Sequence, residues 1–379
     1  MRAESHERND FLPSVQRAET ELQEAEAESL VESLPEGFRT DTQKKRPKVY
    51  QTLIPNTQIV IGIWFGSVFG VLARKGLIAL TTYNGSYLSG VVWANFTACV
   101  VMGIMVSSSN FWENAITSKG VAAKGSLPFY VALSTGWCGT CSSFSSFILE
   151  AFYKSADLEP NMIYKYPNQA YGIMEFLAVV IAQLAVSLLG LSIGKHFVEI
   201  FDEYCPRVST KIYDAFYYFT SFLGIAAYII TIVLIPVKHE GAWRSWTFSI
   251  LFAPFGALVR FYISKYLNSK VANFPLGTFT ANFAGTLLLA IFSLLSRGVA
   301  SDKNRLVTHV LHCQVLVGLS DGFCGALTTV STFVVELSGL KPKHAYLYAF
   351  YSVGICYILT VLVLGSYAWK IDLTKPLCS

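Results

Sequence analysis

Two asparagines and two runs of hydroxyls stand at matching places in an otherwise apolar chain. Asn95 closes Gly90-Val-Val-Trp-Ala-Asn95, and Asn282 closes Gly277-Thr-Phe-Thr-Ala-Asn282. Ser142, Ser143, Ser145 and Ser146 are mirrored by Thr328, Thr329, Ser331 and Thr332. Amide and hydroxyl groups at membrane depth are tolerated where they pair or face water. No carboxylate lies within either run, and Glu150 and Glu336 stand only at its end. Donors without fixed negative charge suit a small anion, whereas acidic rings suit a cation. Phe144 and Phe147 are three apart and share a helix face. An aromatic ring has a positive edge, so such edges aimed into a path solvate a small, hard anion weakly enough to let it pass. The bland reading is that the hydroxyls bond their own backbone or cement helix packing. It is the better reading for one copy, and the duplication reverses the preference.

The duplication is extensive. Residues 134–150 read STGWCGTCSSFSSFILE and residues 320–336 read SDGFCGALTTVSTFVVE. Ser134/Ser320, Gly136/Gly322, Cys138/Cys324, Gly139/Gly325, Ser145/Ser331, Phe147/Phe333 and Glu150/Glu336 are identical pairs at one offset. Gly70-Val-Leu-Ala-Arg74 matches Gly256-Ala-Leu-Val-Arg260 at the same offset. Ordered motifs at a fixed spacing mark a repeated unit. Glycines and hydroxyls together make each copy a breakable segment, which in a membrane belongs where it lines a cavity.

The elements that must position these residues are apolar helices. The chain is 53% hydrophobic and 14% charged, and eleven of its 25 acidic residues lie in the first fifty positions. The rest of the chain reads as a polytopic membrane protein, and the net charge of +4 says little about partners. Residues 1–50 read as a disordered soluble tail, because the acidic run Glu19–Glu28 offers no wide apolar face. It ends in Lys44-Lys-Arg-Pro-Lys48, a cytosolic anchor under the positive-inside rule. Hydropathy predicts nine spans, at 57–80, 88–106, 127–152, 168–194, 212–237, 246–266, 274–296, 307–338 and 344–369. The organisation is a first four-span unit over 51–197, a linker span within 198–240, and a second four-span unit over 241–379. The solitary span turns the second unit over. The fold class is therefore all-α, with two inverted four-helix repeats joined by one transmembrane helix. Inverted repeats place a site at their interface near the bilayer midplane. The N-terminus is expected in the cytosol and the C-terminus outside.

Other chemistry is sparse. The eight cysteines are Cys99, Cys138, Cys141, Cys205, Cys313, Cys324, Cys356 and Cys378. Cys138-Gly-Thr-Cys141 is half a thiolate metal site, but Leu327 replaces the second cysteine in the other repeat and nothing completes a tetrahedral set. No histidine pairs with a nucleophile at a repeated position, and no phosphate-binding loop of the G-x-x-x-x-G-K-[ST] kind is present, so neither catalysis nor ATP drive is expected. Asn84-Gly-Ser86 is a glycosylation pattern in a predicted outer loop. Asn95-Phe-Thr97 fits the pattern too but lies within a span.

The run Gly322 to Phe333, G-F-C-G-x-x-T-T-x-S-T-F, resembles the third-helix signature of the Fluc fluoride channels, also called CrcB. Gly136 to Phe147 is the same signature with Ser for Thr. The G-x-x-x-R of the first span and the Asn of the second also fit, over about residues 57–378. Bacterial members are four-span proteins that pair antiparallel, and eukaryotic members fuse two units through a linker span, the layout seen here. Tyr171–Phe176, Phe274–Thr278 and Leu364–Trp369 look fungal. The resemblance implies that Asn95 and Asn282 line pores. It implies that the pore phenylalanines are Phe144 and Phe147 in one repeat and Val330 and Phe333 in the other. One pore then pairs Phe144 with Phe333, while the second pairs Val330 with Phe147 and lacks a ring. It implies a structural sodium ion held by carbonyls at Gly139, Ser142, Gly325 and Thr328. It places Arg74 and Arg260, with Glu150 and Glu336, near the entrances.

The expected function is a passive channel that exports fluoride across the plasma membrane, working as a monomer in the lipid bilayer without nucleic acid. The alternatives are a coupled secondary transporter of another small ion or drug, and a membrane scaffold whose polar runs only hold helices together.

Overall fold

The computed structural model describes residues 56–378 apart from 84–85, 122, 159–164, 206, 239–242, 301–303 and 372, with a few tail residues between 25 and 37. The basic cluster Lys44–Lys48, Asn84 and Ser379 lie outside the described residues.

All nine predicted segments are helical. The first repeat opens with α1 (Asn56–Thr81) and α2 (Val91–Ser107), and α2 is continued by α3 (Asn110–Lys119) at a bend of 59°. The next segment winds through Pro128–Val131, a π-helical turn Ala132–Cys138 and Gly139–Cys141, breaks, and resumes as α4 (Phe144–Ser155). A long α5 (Ala170–Phe201) closes the repeat, and α6 (Thr210–Val237) is the linker helix. The second repeat runs α7 (Trp243–Leu267), α8 (Leu276–Arg297), then α9 (Val310–Gly318). A π-helical turn Leu319–Cys324, the short Gly325–Leu327, a second break and α10 (Ser331–Gly339) come next. The last segment is α11 (Pro342–Thr360), carried on to Ile371 through another π turn. Among the described residues, seven helices are long and apolar enough to cross a membrane, or eight if the bent α2–α3 pair counts as one span. The expected nine is therefore not reached by this measure. Two segments fall short: α2, with 17 residues unless it is joined to α3, and the stretch 127–152, whose glycines and serines cut it into short pieces.

Small residues let the helices approach closely. A Cβ on Gly66 would lie 2.8 Å from the Cα of Gly136, and one on Gly194 would lie 2.9 Å from the Cα of Gly103. Such backbone contact holds helices together where lipid offers no hydrophobic drive. By contrast α6 buries little: Phe219, Phe222, Ile229 and Val233 are all exposed, the surface of a helix bathed in acyl chains.

The two breaks cross each other, and their contacts are reciprocal. The hydroxyl of Ser142 accepts from the amides of Val330 at 3.2 Å and Ser331 at 3.1 Å, capping α10. The hydroxyl of Thr328 accepts from the amide of Ser145 at 3.1 Å, at the start of α4. Each half-helix thus takes a cap from the opposite repeat, satisfying a donor that the break left open. Contacts in which the same position on each half serves the other are the mark of a two-fold relation. The tail departs from expectation. Leu30 and Leu34, one helical turn apart, are buried, and Leu30 lines a pocket with Val106 and Val198 at the C-terminal ends of α2 and α5. The apolar pair sits just after the acidic run, where composition alone hides it.

Candidate functional site

The breaks gather the predicted residues into one buried centre. Each asparagine is fixed by its own break: Asn95 Oδ1 accepts from the Ser143 amide and Asn282 Oδ1 from the Thr329 amide, both at 2.9 Å. Both asparagines are fully buried. Their NH₂ groups donate to Gln183 Oε1 at 2.9 Å and to Thr329 O at 3.2 Å. Around them, Ser143 shares a hydrogen bond with Ser146 at 2.9 Å, Ser145 with Thr328 at 2.9 Å, and Ser142 with Thr329 at 3.2 Å and Ser331 at 3.1 Å. The Thr332 amide donates to Thr329 Oγ1. The hydroxyl runs are therefore largely committed to one another and to backbone amides, so the packing role and the pathway role coexist in the same residues.

The aromatic residues meet across the repeats. The rings of Phe144 and Phe333 stand edge to face at 5.4 Å, and Phe147 meets Phe144 in the same manner at 5.5 Å. Phe333 also touches Tyr348 at 5.0 Å. Val330 is buried in the same cluster and offers no ring.

The arginines and glutamates, expected near the entrances, are buried. Arg74 and Arg260 are each 2% exposed. Arg260 donates to the carbonyls of Thr135, Gly139 and Ala326, and Arg74 reaches across to that of Asp321. First-span arginines thus tie each repeat to the broken segment of the other. Glu150 and Glu336 are buried as well. Glu150 accepts from the Ser89 amide and from Gln183, and Glu336 from Thr278 at 2.6 Å, Asn268 and Tyr348 at 2.8 Å. Sequence reasoning sent charged residues to the rim because lone charges are costly inside a membrane. Here the orphaned carbonyls of the broken helices and the polar residues of α5, α8 and α11 supply the partners.

The same arginines bear on the expected cation. The Gly139 carbonyl accepts from Arg260 Nη1 at 2.6 Å, and the guanidinium of Arg74 lies against Gly325. Sodium sharing the Gly139 oxygen would be repelled at close range by a fixed positive charge. Of the set Gly139, Ser142, Gly325 and Thr328, the Gly139 carbonyl is thus engaged by a guanidinium.

Three features escaped the sequence reading. Gln183 and Tyr348 carry no motif, though each is buried on its helix. Cys313 and Cys378 form a disulfide across 65 residues, a separation with no recognisable spacing.

Residues 61–194 and 247–366 each match the family described as CrcB-like protein, Camphor Resistance (CrcB). The chain belongs to that family. It is 51% identical to Fluoride export protein 1 of Candida albicans over 94% of this chain and 91% of that protein. Fluoride export protein 2 of Saccharomyces cerevisiae is 32% identical over 82% of this chain and 93% of its own. Fluoride-specific ion channel FluC of Hydrogenobaculum is 36% identical over 29% of this chain but 79% of its own, the size of one repeat. No solved structure matches the chain. The twofold family match accords with the paired breaks and their crossed contacts.

Proposed function

We propose that this protein is a passive fluoride channel that exports fluoride across the plasma membrane. The observation that carries the reading is the Phe144–Phe333 edge contact, made where the N-termini of α4 and α10 converge beside Asn95 and Asn282. Helix N-termini present positive partial charge to an anion. The asparagine NH₂ groups add neutral donors, and the ring edges add weak ones. Two guanidiniums bound to the carbonyls of the broken segments keep the centre electropositive. No acidic side chain lies in either break. Together these favour the smallest, hardest halide, held weakly enough to move on. A negative-inside potential drives an anion outward by about 2.3 kcal/mol per 100 mV, so export needs no pump. The names of the relatives point to the same ion.

The polypeptide supplies both repeats, so it functions as a monomer within the bilayer. An exterior C-terminus is supported by the Cys313–Cys378 bond, because disulfides persist on the oxidising side of a membrane. The reading is tested by deleting the protein from its cell and growing the cells on fluoride in acid medium, where neutral HF enters. Hypersensitivity is expected, and wild-type tolerance would refute the proposal.

A further inference from the structure

The two repeats treat their asparagines differently. In the first, Asn95 Nδ2 donates to Gln183 Oε1 at 2.9 Å, and Gln183 Nε2 donates to Glu150 Oε2 at 3.0 Å. With the Ser143 amide on Asn95 Oδ1, three donors run head to tail from the break to a carboxylate. Such a series strengthens each member by polarisation, and its last bond is charge-assisted. The chain is fully buried along its side chains: Asn95 is 0% exposed, Gln183 1% and Glu150 7%.

In the second repeat the corresponding fourth-helix residue is Tyr348. It too donates to its own glutamate, and a buried serine stands four residues on in both helices, Ser187 after Gln183 and Ser352 after Tyr348. The likeness ends there. Asn282 Nδ2 returns to the backbone, to Thr329 O at a longer 3.2 Å, and no side chain joins it to Glu336 through Tyr348. Tyr348 instead lays its ring on Phe333, extending the Phe144–Phe333 pair toward Glu336. The Tyr348 hydroxyl can accept as well as donate, but Asn282 Nδ2 is spent on Thr329 O and does not reach it.

We propose that Gln183 is a clasp that closes the Asn95 lane, so that the anion passes only along Asn282, Tyr348 and the Phe144–Phe333 pair. An anion entering the first lane must take the Asn95 donor away from Gln183, leaving the buried Gln183 Oε1 without that partner beside the Glu150 carboxylate. It also finds Val330 where the other lane has a ring. The second lane asks only that Asn282 release one long bond to a carbonyl. Gln183 is a positioning residue in this scheme, acting through Asn95. The inference rests on the fluoride reading of the same site.

The test is fluoride efflux from liposomes, with each variant checked for yield, monodispersity and melting temperature. Wild type without flux removes the fluoride reading itself. If wild type conducts, Asn282→Asp should lower flux about a hundredfold or more, because a carboxylate repels the anion at short range. Retained flux in Asn282→Asp would overturn the lane assignment. Adding Gln183→Ala and Val330→Phe to Asn282→Asp should recover at least about tenfold over the single variant, a barrier change of ~1.4 kcal/mol. A triple variant that folds normally and stays as silent as Asn282→Asp would overturn the clasp. In the wild-type background the Gln183→Ala/Val330→Phe pair should raise flux, and unchanged or lowered flux would count equally against it.

Discussion

Single residues make the sharpest claims here, because the two repeats control for each other. Phe144 and Phe333 form the edge pair, so Phe144→Ile and Phe333→Ile should each abolish fluoride resistance at normal protein levels. Phe147→Ile should be largely tolerated, since its partner in the other lane is Val330 and the swap keeps an apolar side chain of similar bulk. Growth of the three variants on fluoride, with immunoblots for expression, checks this. Equal loss in all three would contradict it. Arg260 serves three carbonyls from within the membrane-spanning core. Arg260→Gln leaves at least two of them without a donor and should cost at least about 2 kcal/mol, at ~1–3 kcal/mol per buried unsatisfied group. Arg260→Lys should rescue it poorly, because an ammonium cannot reproduce the planar fork. Arg74, with a single such bond to Asp321, should tolerate lysine better. Unfolding in detergent ranks the variants.

At the scale of elements, the breaks decide the architecture. Exchanged caps by Ser142 and Thr328 hold α4 and α10 to the opposite repeat, so Ser142→Ala should cost about 1 kcal/mol, the usual value of a lost cap. A second element-level test concerns the segment after α3. Burial pushes the Lys124 ammonium down to about 8 while its Nζ donates to the carbonyls of Val106 and Ser108 at the end of α2. Its folded value lies below its unfolded one, so above about pH 8 the unfolded chain binds more protons and stability rises with pH. Lys124→Met should flatten that rise in melts taken between about pH 7 and 10. The sequence disclosed the breaks well, since glycines and hydroxyls clustered in an apolar span weaken the helix there, and it disclosed both asparagines through their repeat. It did not foresee the burial of Arg74, Arg260, Glu150 and Glu336 or their partners, because cost rules for lone charges do not reveal which carbonyls a broken helix will orphan. It missed Gln183 and Tyr348, whose roles exist only once α5 and α11 pack against the breaks. Leu30 and Leu34 were lost for a similar reason: two leucines make a buried stripe only when a groove receives them.

The whole molecule is a pair of units turned over one another, with the contacts across the crossing returned in kind. The disulfide sets the C-terminal residues against the first turn of α9, and the proposed exterior C-terminus rests on it. Cys313→Ser should lower stability by about 2–4 kcal/mol and leave a thiol at the partly exposed Cys378 that an impermeant maleimide reaches from outside intact cells. Labelling only after permeabilisation would contradict the exterior assignment. The central claim is that this fold passes fluoride down its electrochemical gradient without another energy source. It is tested most directly by loading liposomes that contain the purified protein with fluoride and recording efflux with a fluoride electrode as a potassium–valinomycin potential is imposed. The account predicts rapid, potential-dependent release that needs neither ATP nor a proton or sodium gradient and is lost in Phe333→Ile. Release no faster than from protein-free liposomes, or release that requires a coupled ion gradient, would contradict it.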